Sequence, residues 1–407
     1  MTAHARIPAI LVVTLVTASL ISLLSFGVRS AFGLLTAPLP ADLGVSRETY
    51  SIAIAIQNLC WGATQPFAGH LTDRFGARRV IFGGAVLYCM GIAGLLFATT
   101  PLEICLTAGV LAGVGMGGAS FTTALAALAR AMPETHRSWA LGIGTAAASL
   151  GQFVIVPIVQ AFIGAGGWKG GAAFMLAAIA AILLVAWFVR GDQPAAGTSS
   201  APAVSTPLML ATAFRHTSYV LLVLGFFVCG FQLAFITTHF PAYLDDRGIS
   251  PAAASWAVAM IGLFNVLGAY MAGAWGARYS KKNMLAYIYL ARGAVTAVFI
   301  LTPVTPASVL LFGAAMGLLW LSTVPLTSAL VATFFGTRFM ATLFGIVFFS
   351  HQVGSFLGVY LGGALYERTG SYDVVWWLAI GLSLFAAAMN LPIRERRSEP
   401  FSRLAPA

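Results

Sequence analysis

Two arginines stand inside apolar runs of this chain, Arg29 in FGVRSAFG and Arg292 in LARGAV. A guanidinium stays charged at any ordinary pH, so burying it is costly unless an anion or several acceptors converge on it. The twelve acidic residues do not supply that anion, because all of them fall in loops or at the ends of apolar runs. The missing partner could be a ligand, which makes Arg29 and Arg292 candidate substrate contacts. The plainer alternative is a guanidinium that snorkels to an interface or bonds helix carbonyls.

Neutral polar residues also gather at mid-depth in apolar runs: Gln57, Asn58 and Gln65, then Gln152, Gln232, Asn265, and the trio Ser350-His351-Gln352. Such amides can orient a small polar solute or hold helices together. Gln57, Asn58, Gln152, Gln232, Asn265, His351 and Gln352 are accordingly taken with the two arginines as the candidate binding set. His351 is the only histidine deep in a run, and imidazole titrates near neutral pH, so it is the candidate proton-coupling group; the alternative is a satisfied core histidine. No Ser-His-Asp order, metal-ligand spacing or phosphate loop is present, and neither an enzyme, a metal nor a cofactor is expected. GVGMGG at 113–118 has no strand before it and is read as helix packing.

These groups must be positioned by membrane helices. Of 407 residues, 59% are hydrophobic and only 8% charged, with a mean hydropathy of +0.90. Apolar runs of about 20 residues recur along the chain, which indicates α-helical spans rather than alternating barrel strands. About twelve are expected, at 8–36, 48–70, 80–99, 103–129, 138–165, 170–189, 218–243, 252–276, 283–302, 306–333, 340–365 and 373–391. The four cysteines show no CxxC spacing and read as small core residues.

The formal charge of +10 marks topology and not nucleic acid. Sixteen of the 22 basic residues fall on loops and tails of one side, four on the other and two within spans, which puts both termini in the cytoplasm of a multi-pass protein of the cytoplasmic (inner) membrane. Residues 191–216 read as a cytoplasmic linker between two six-helix bundles, 1–190 and 217–393, and 394–407 as a cytoplasmic tail. The halves look duplicated: Gly44-Val45-Ser46 recurs as Gly248-Ile249-Ser250, Gly69 and Arg74 as Gly273 and Arg278, and Gly151 as Gly354, all at offsets of 203 or 204.

Between spans 2 and 3 lies GHLTDRFGARR, in which Gly69, Asp73, Arg74, Gly76, Arg78 and Arg79 can cross-link helix ends as a conformational latch. This loop resembles the signature loop of the major facilitator superfamily of secondary transporters. The FG-x-x-x-x-FG turn at Phe26 to Gly33, the glycines from Gly113 to Gly118, the stretch from Ala140 to Pro157 and Gly167-Trp168-Lys169-Gly170 are similar to its monocarboxylate transporter and oxalate/formate antiporter branch. The resemblance implies an all-α integral membrane protein of two pseudo-symmetric six-helix bundles, working as a monomer by alternating access between the halves. It also implies a peripheral span 9, which weakens the case for Arg292.

Animal-type members of that branch carry an Asp/Arg pair in span 8 where this chain has Asn265, Gly268 and Ala269, and a span 1 lysine that is absent here. Arg29 and His351 would then have to take over those roles. The resulting expectation is proton-coupled transport of a small organic anion such as a monocarboxylate. The alternatives are proton-driven efflux of a drug, for which the Gly-Pro-x-x-Gly-Gly pattern of span 5 is missing, and a receptor that has lost transport.

Overall fold

A computed structural model describes residues 9–189, 206–336 and 340–398. Every regular element among them is helical. In hydrocarbon no water satisfies a stray N–H or C=O, so apolar stretches of this length must close their hydrogen bonds internally.

Ten helices among the described residues are long and apolar enough to cross a membrane. Two further spans complete the expected twelve. The helix Glu134–Ala186 breaks at Gly166 and Gly167, the latter at φ 65°, and the chain reverses there so that Phe162 stacks on Phe174 at 4.9 Å. The 29-residue helix Arg47–Phe75 is the other; it is long enough to span but carries the polar face Gln57, Asn58 and Gln65. Of the expected linker, 191–205 lies outside the described residues, while Thr206–Phe214 is a short helix that buries Met209 and Ala213.

The repeated tripeptide has a structural cause. Gly44 and Gly248 adopt φ 65° and 73°, and the next amides, of Val45 and Ile249, reach back to the carbonyls of Pro40 and Leu244. Ser46 and Ser250 then accept from the amides of Thr49 and Ala253 and start spans 2 and 8. One short motif closes a helix and opens the next in both halves.

Packing repeats as well. A β-carbon at Gly151 in span 5 would overlap the carbonyl of Leu23 in span 1, and one at Gly354 in span 11 would overlap that of Phe227 in span 7. Spans 4 and 10 are each broken midway: span 4 between Gly118 and Phe121, where Ser120 caps the second segment, and span 10 between Leu319 and Thr323. The chain is therefore two similar six-helix bundles. They meet chiefly where span 2 packs on span 11 and span 5 on span 8.

One end of the halves is clamped. Arg47 grips Asp246 with two bonds of 2.7 and 2.8 Å and lies 4.4 Å from the Tyr366 ring, while Thr36 Oγ1 donates to the Thr238 carbonyl at 2.8 Å. Burial lowers the Arg47 pKa, but Asp246 and Tyr372 together outweigh it and the net shift is upward. Exposure of 18% and 29% leaves the pair partly screened, so its contribution is on the order of 1 kcal/mol. Arg47→Ala is expected to raise the thiol-labelling rate of a cysteine placed at Thr238 about fivefold, and the exchanged pair Arg47→Asp with Asp246→Arg to restore it. Unchanged labelling would show that the pair does not hold this end closed.

Candidate functional site

Arg29 sits in the last turn of the helix Ala9–Ala31. Gly27 lets that helix lie against Gly151 and Ile155, and Gly33 lets the following turn meet Thr237 of the other half. The Arg29 side chain is thereby set at the junction of spans 1, 2 and 4. Its Nη2 donates to Asn58 Oδ1 at 3.2 Å, and its guanidinium carbon lies 4.6 Å from the Trp61 ring and 5.7 Å from that of Phe26. Among the described residues, no carboxylate forms an ion pair with it.

Asn58 is fixed in turn. Its Nδ2 donates to the Ile54 carbonyl at 2.8 Å, which leaves Oδ1 to face Arg29. The Asn58 carbonyl receives Gln352 Nε2 from span 11 at 3.0 Å, and Gln352 Oε1 lies 3.0 Å from His351 Nδ1. An amide oxygen only accepts, so this contact calls for the tautomer with its hydrogen on Nδ1. A parallel aromatic path runs from Trp61 edge-on to Phe348 at 5.5 Å, and Phe348 stacks on His351 at 5.7 Å. Arg29 and His351, far apart in sequence and in opposite halves, are thus joined by two side chains on one route and two rings on the other.

The remaining amides bond neighbouring helices, while Gln232 Oε1 is buried without a hydrogen-bond partner among the described residues. Gln57 donates to the Ala108 carbonyl in the π-helical turn Cys105–Leu111 of span 4, and Gln232 donates to the Ala379 carbonyl and Ser383. Gln152 crosses between halves to the Val258 carbonyl. Asn265 donates to Ser149 Oγ and accepts from the Leu321 amide, so it satisfies the break in span 10 from span 8. Arg292 is wholly buried: its Nε and Nη2 donate to the Leu319 carbonyl, Nη2 also reaches the Trp320 carbonyl, and Nη1 meets Cys229 Sγ at 3.3 Å. A helix break leaves carbonyls at the negative end of a dipole, and there they meet a cation without a carboxylate. His239 bonds the Val359 carbonyl at 2.8 Å and is likewise buried.

The structure therefore groups Arg29, Asn58, His351 and Gln352 and sets Gln57, Gln232 and Arg292 within their own bundles. Sequence reasoning missed Trp61, Phe26, Phe121 and Phe348. A signal was there for Trp61, which follows Asn58 by three residues and precedes Gln65 by four on one helical face.

At the opposite end from Arg47, the stretch that the sequence reads as a loop is helix except at Gly76: Gly69 and Arg74 lie in the last turns of Arg47–Phe75, Gly76 at φ 85° ends that helix, and Arg78, in the next one, lies 5.1 Å from the Trp187 ring. Arg79 is in the first turn of Ala77–Phe97. The Asp73 side chain lies outside the described residues.

A family model described as Major Facilitator Superfamily matches residues 18–358, and again 222–406. This chain belongs to the major facilitator superfamily. It is an integral multi-pass membrane transporter. It is 28% identical over 381 residues to the uncharacterized MFS-type transporter YcxA of Bacillus subtilis, covering 89% of this chain and 90% of that one. With monocarboxylate transporter 13 of Bos taurus it shares 25% identity over 369 residues, covering 88% and 83%. Among solved structures, the nucleoside transporter NupG superposes with a TM-score of 0.76 at 16% identity, covering 93% of this chain and 99% of that one, which speaks for the fold alone.

Proposed function

We propose that this transporter carries a small organic anion across the cytoplasmic membrane by alternating access, with proton coupling. The observation that carries the reading is the Arg29 guanidinium, held among spans 1, 2 and 4 with no carboxylate partner among the described residues and linked to His351 of the other half through Asn58 and Gln352. An anion entering there would meet Arg29, and a proton taken at His351 would bear on this link between the halves. The relationship to monocarboxylate transporter 13 supports the substrate class.

With the termini in the cytoplasm, as the bias of basic residues favours, the Arg47–Asp246 clamp faces outward. The conformation described is then closed to the outside. The stretch from Gly69 to Arg79, with Asp73, Arg74, Gly76 and Arg78, would hold the opposite state, in which the cytoplasmic end closes. Both the anion path and the proton site lie within one chain, so a monomer suffices.

The test is uptake of labelled lactate and competing monocarboxylates into proteoliposomes, with and without an inward proton gradient, measured against protein-free vesicles. Competed uptake stimulated by the gradient is expected. His351→Asn is expected to keep exchange of anion across the membrane while losing at least fivefold of the gradient stimulation, because Asn retains a bond to Gln352 but gains no proton. Full stimulation in that variant would remove His351 from the mechanism. No carrier-dependent uptake of any carboxylate by folded protein would overturn the organic-anion reading.

A further inference from the structure

The second membrane arginine has a neighbour that can ionise. Arg292 Nη1 donates to Cys229 Sγ of span 7 at 3.3 Å, and Thr323 Oγ1 of span 10 lies 3.4 Å from the same sulfur. Cys229, Arg292 and Thr323 are all wholly buried. The His351 ring of span 11 reaches this sulfur as well. It is kept there by span 7, whose Phe226 ring lies 5.1 Å away and whose Gly230 lets the helix meet the His351 carbonyl. Span 9 adds Tyr289, its ring 5.4 Å from the Arg292 guanidinium carbon. Span 8 brings no charged residue, span 12 only Asp373 in its first turn, and span 7 itself no other titratable group within nine residues of Cys229.

These bonds leave a charge unmatched. The carbonyls of Leu319 and Trp320 solvate the Arg292 guanidinium as dipoles without cancelling its charge, and no carboxylate pairs with it among the described residues. A guanidinium only donates, and the Thr323 hydroxyl can turn to do the same, so donors converge on the sulfur as they would on an anion. We propose that Cys229 is a thiolate, the counter-ion of Arg292, and that proton exchange at this sulfur is a coupling step of the transporter. Its place in transport rests on the proton-coupled reading; its charge does not. Proton uptake forms the S–H bond and strips Arg292 of its counter-charge. Release breaks that bond, leaves the electron pair on sulfur and passes the proton to a nitrogen of the adjacent His351 ring. The ion pair ties span 7 to span 9 and, through the span 10 carbonyls, to the break at Leu319 and Trp320, so protonation loosens a junction of three helices.

The first test is the ultraviolet thiolate absorbance of the purified full chain in detergent, wild type minus Cys229→Ser. At a pH of about 7 an ordinary thiol, with a pKa of about 8.5, is ionised only to a few per cent. A difference of one thiolate per chain is expected, and Arg292→Gln should reduce it at least fivefold. In proteoliposomes, Cys229→Ser is expected to keep anion exchange and lose at least fivefold of the gradient stimulation, because serine bonds Arg292 and Thr323 without ionising. Cys229→Asp restores an ionisable anion and should recover the stimulation with a shifted pH profile, which a purely structural thiol would not produce. Cys229→Ala replaces the serine variant should that misfold. A difference of less than a tenth of a thiolate in folded protein overturns the ion pair. One thiolate per chain with full stimulation in Cys229→Ser upholds the ion pair and overturns its role in coupling. Wild-type uptake without gradient stimulation overturns the proton-coupled reading together with that role, and the thiolate signal still decides the ion pair.

Discussion

Arg29→Gln is expected to raise the KM for the transported anion by roughly 10–150-fold, since a charge-assisted hydrogen bond contributes about 1.5–3 kcal/mol. Glutamine keeps a donor for Asn58 Oδ1, so the contact that Arg29 makes at 3.2 Å has a replacement and the bundle should fold. Arg29→Lys separates charge from shape. It retains the positive charge but not the planar group 4.6 Å from the Trp61 ring, and it should fall between wild type and glutamine. Transport kinetics and thermal midpoint read together decide the matter. A variant that keeps its KM but melts early would make Arg29 a structural cation.

Gly230→Ala and Gly354→Ala are expected to cost about 1–3 kcal/mol each, the range for forcing extra atoms into a packed core. At Gly230 a β-carbon would overlap the His351 carbonyl, and at Gly354 that of Phe227. Both obstacles are helix backbone, which cannot swing aside as a long side chain can. Span 11 must shift, and it carries His351 and Gln352, so transport should fall further than stability does. Gly381→Ala is the control: nothing lies within 4 Å of its added carbon, and alanine is the better helix former by up to about 1 kcal/mol. Its thermal midpoint should stay or rise. Equal losses at all three positions would indicate a general intolerance and not these two contacts.

The sequence by itself determined the spans and their duplication. Hydrocarbon thickness sets run length, and runs expected at 252–276 and 373–391 are helices Pro251–Gly276 and Asp373–Asn390. Gly-Val-Ser and Gly-Ile-Ser were legible as matching boundaries because a left-handed cap and a serine N-cap are local devices, complete within about six residues. Arg29 and His351 stood out for the same kind of reason, since an ionisable group in an apolar run is anomalous without reference to any neighbour.

Which of those polar residues share a site was decided only by the tertiary structure. Asn58 meets Gln352 across 294 positions because span 2 and span 11 cross there, and the rotation of each helix follows from its packing, not its composition. Gln57, one residue away, points to the Ala108 carbonyl and spends itself on a π-helical turn. Arg292 looked like Arg29 in sequence, yet its partners are the carbonyls of Leu319 and Trp320. Every residue has a carbonyl, so the residue types at 319 and 320 do not announce that a helix breaks there and leaves acceptors free. That break separates an arginine whose bonds are met by carbonyls from one with a single hydrogen bond and no carboxylate partner among the described residues.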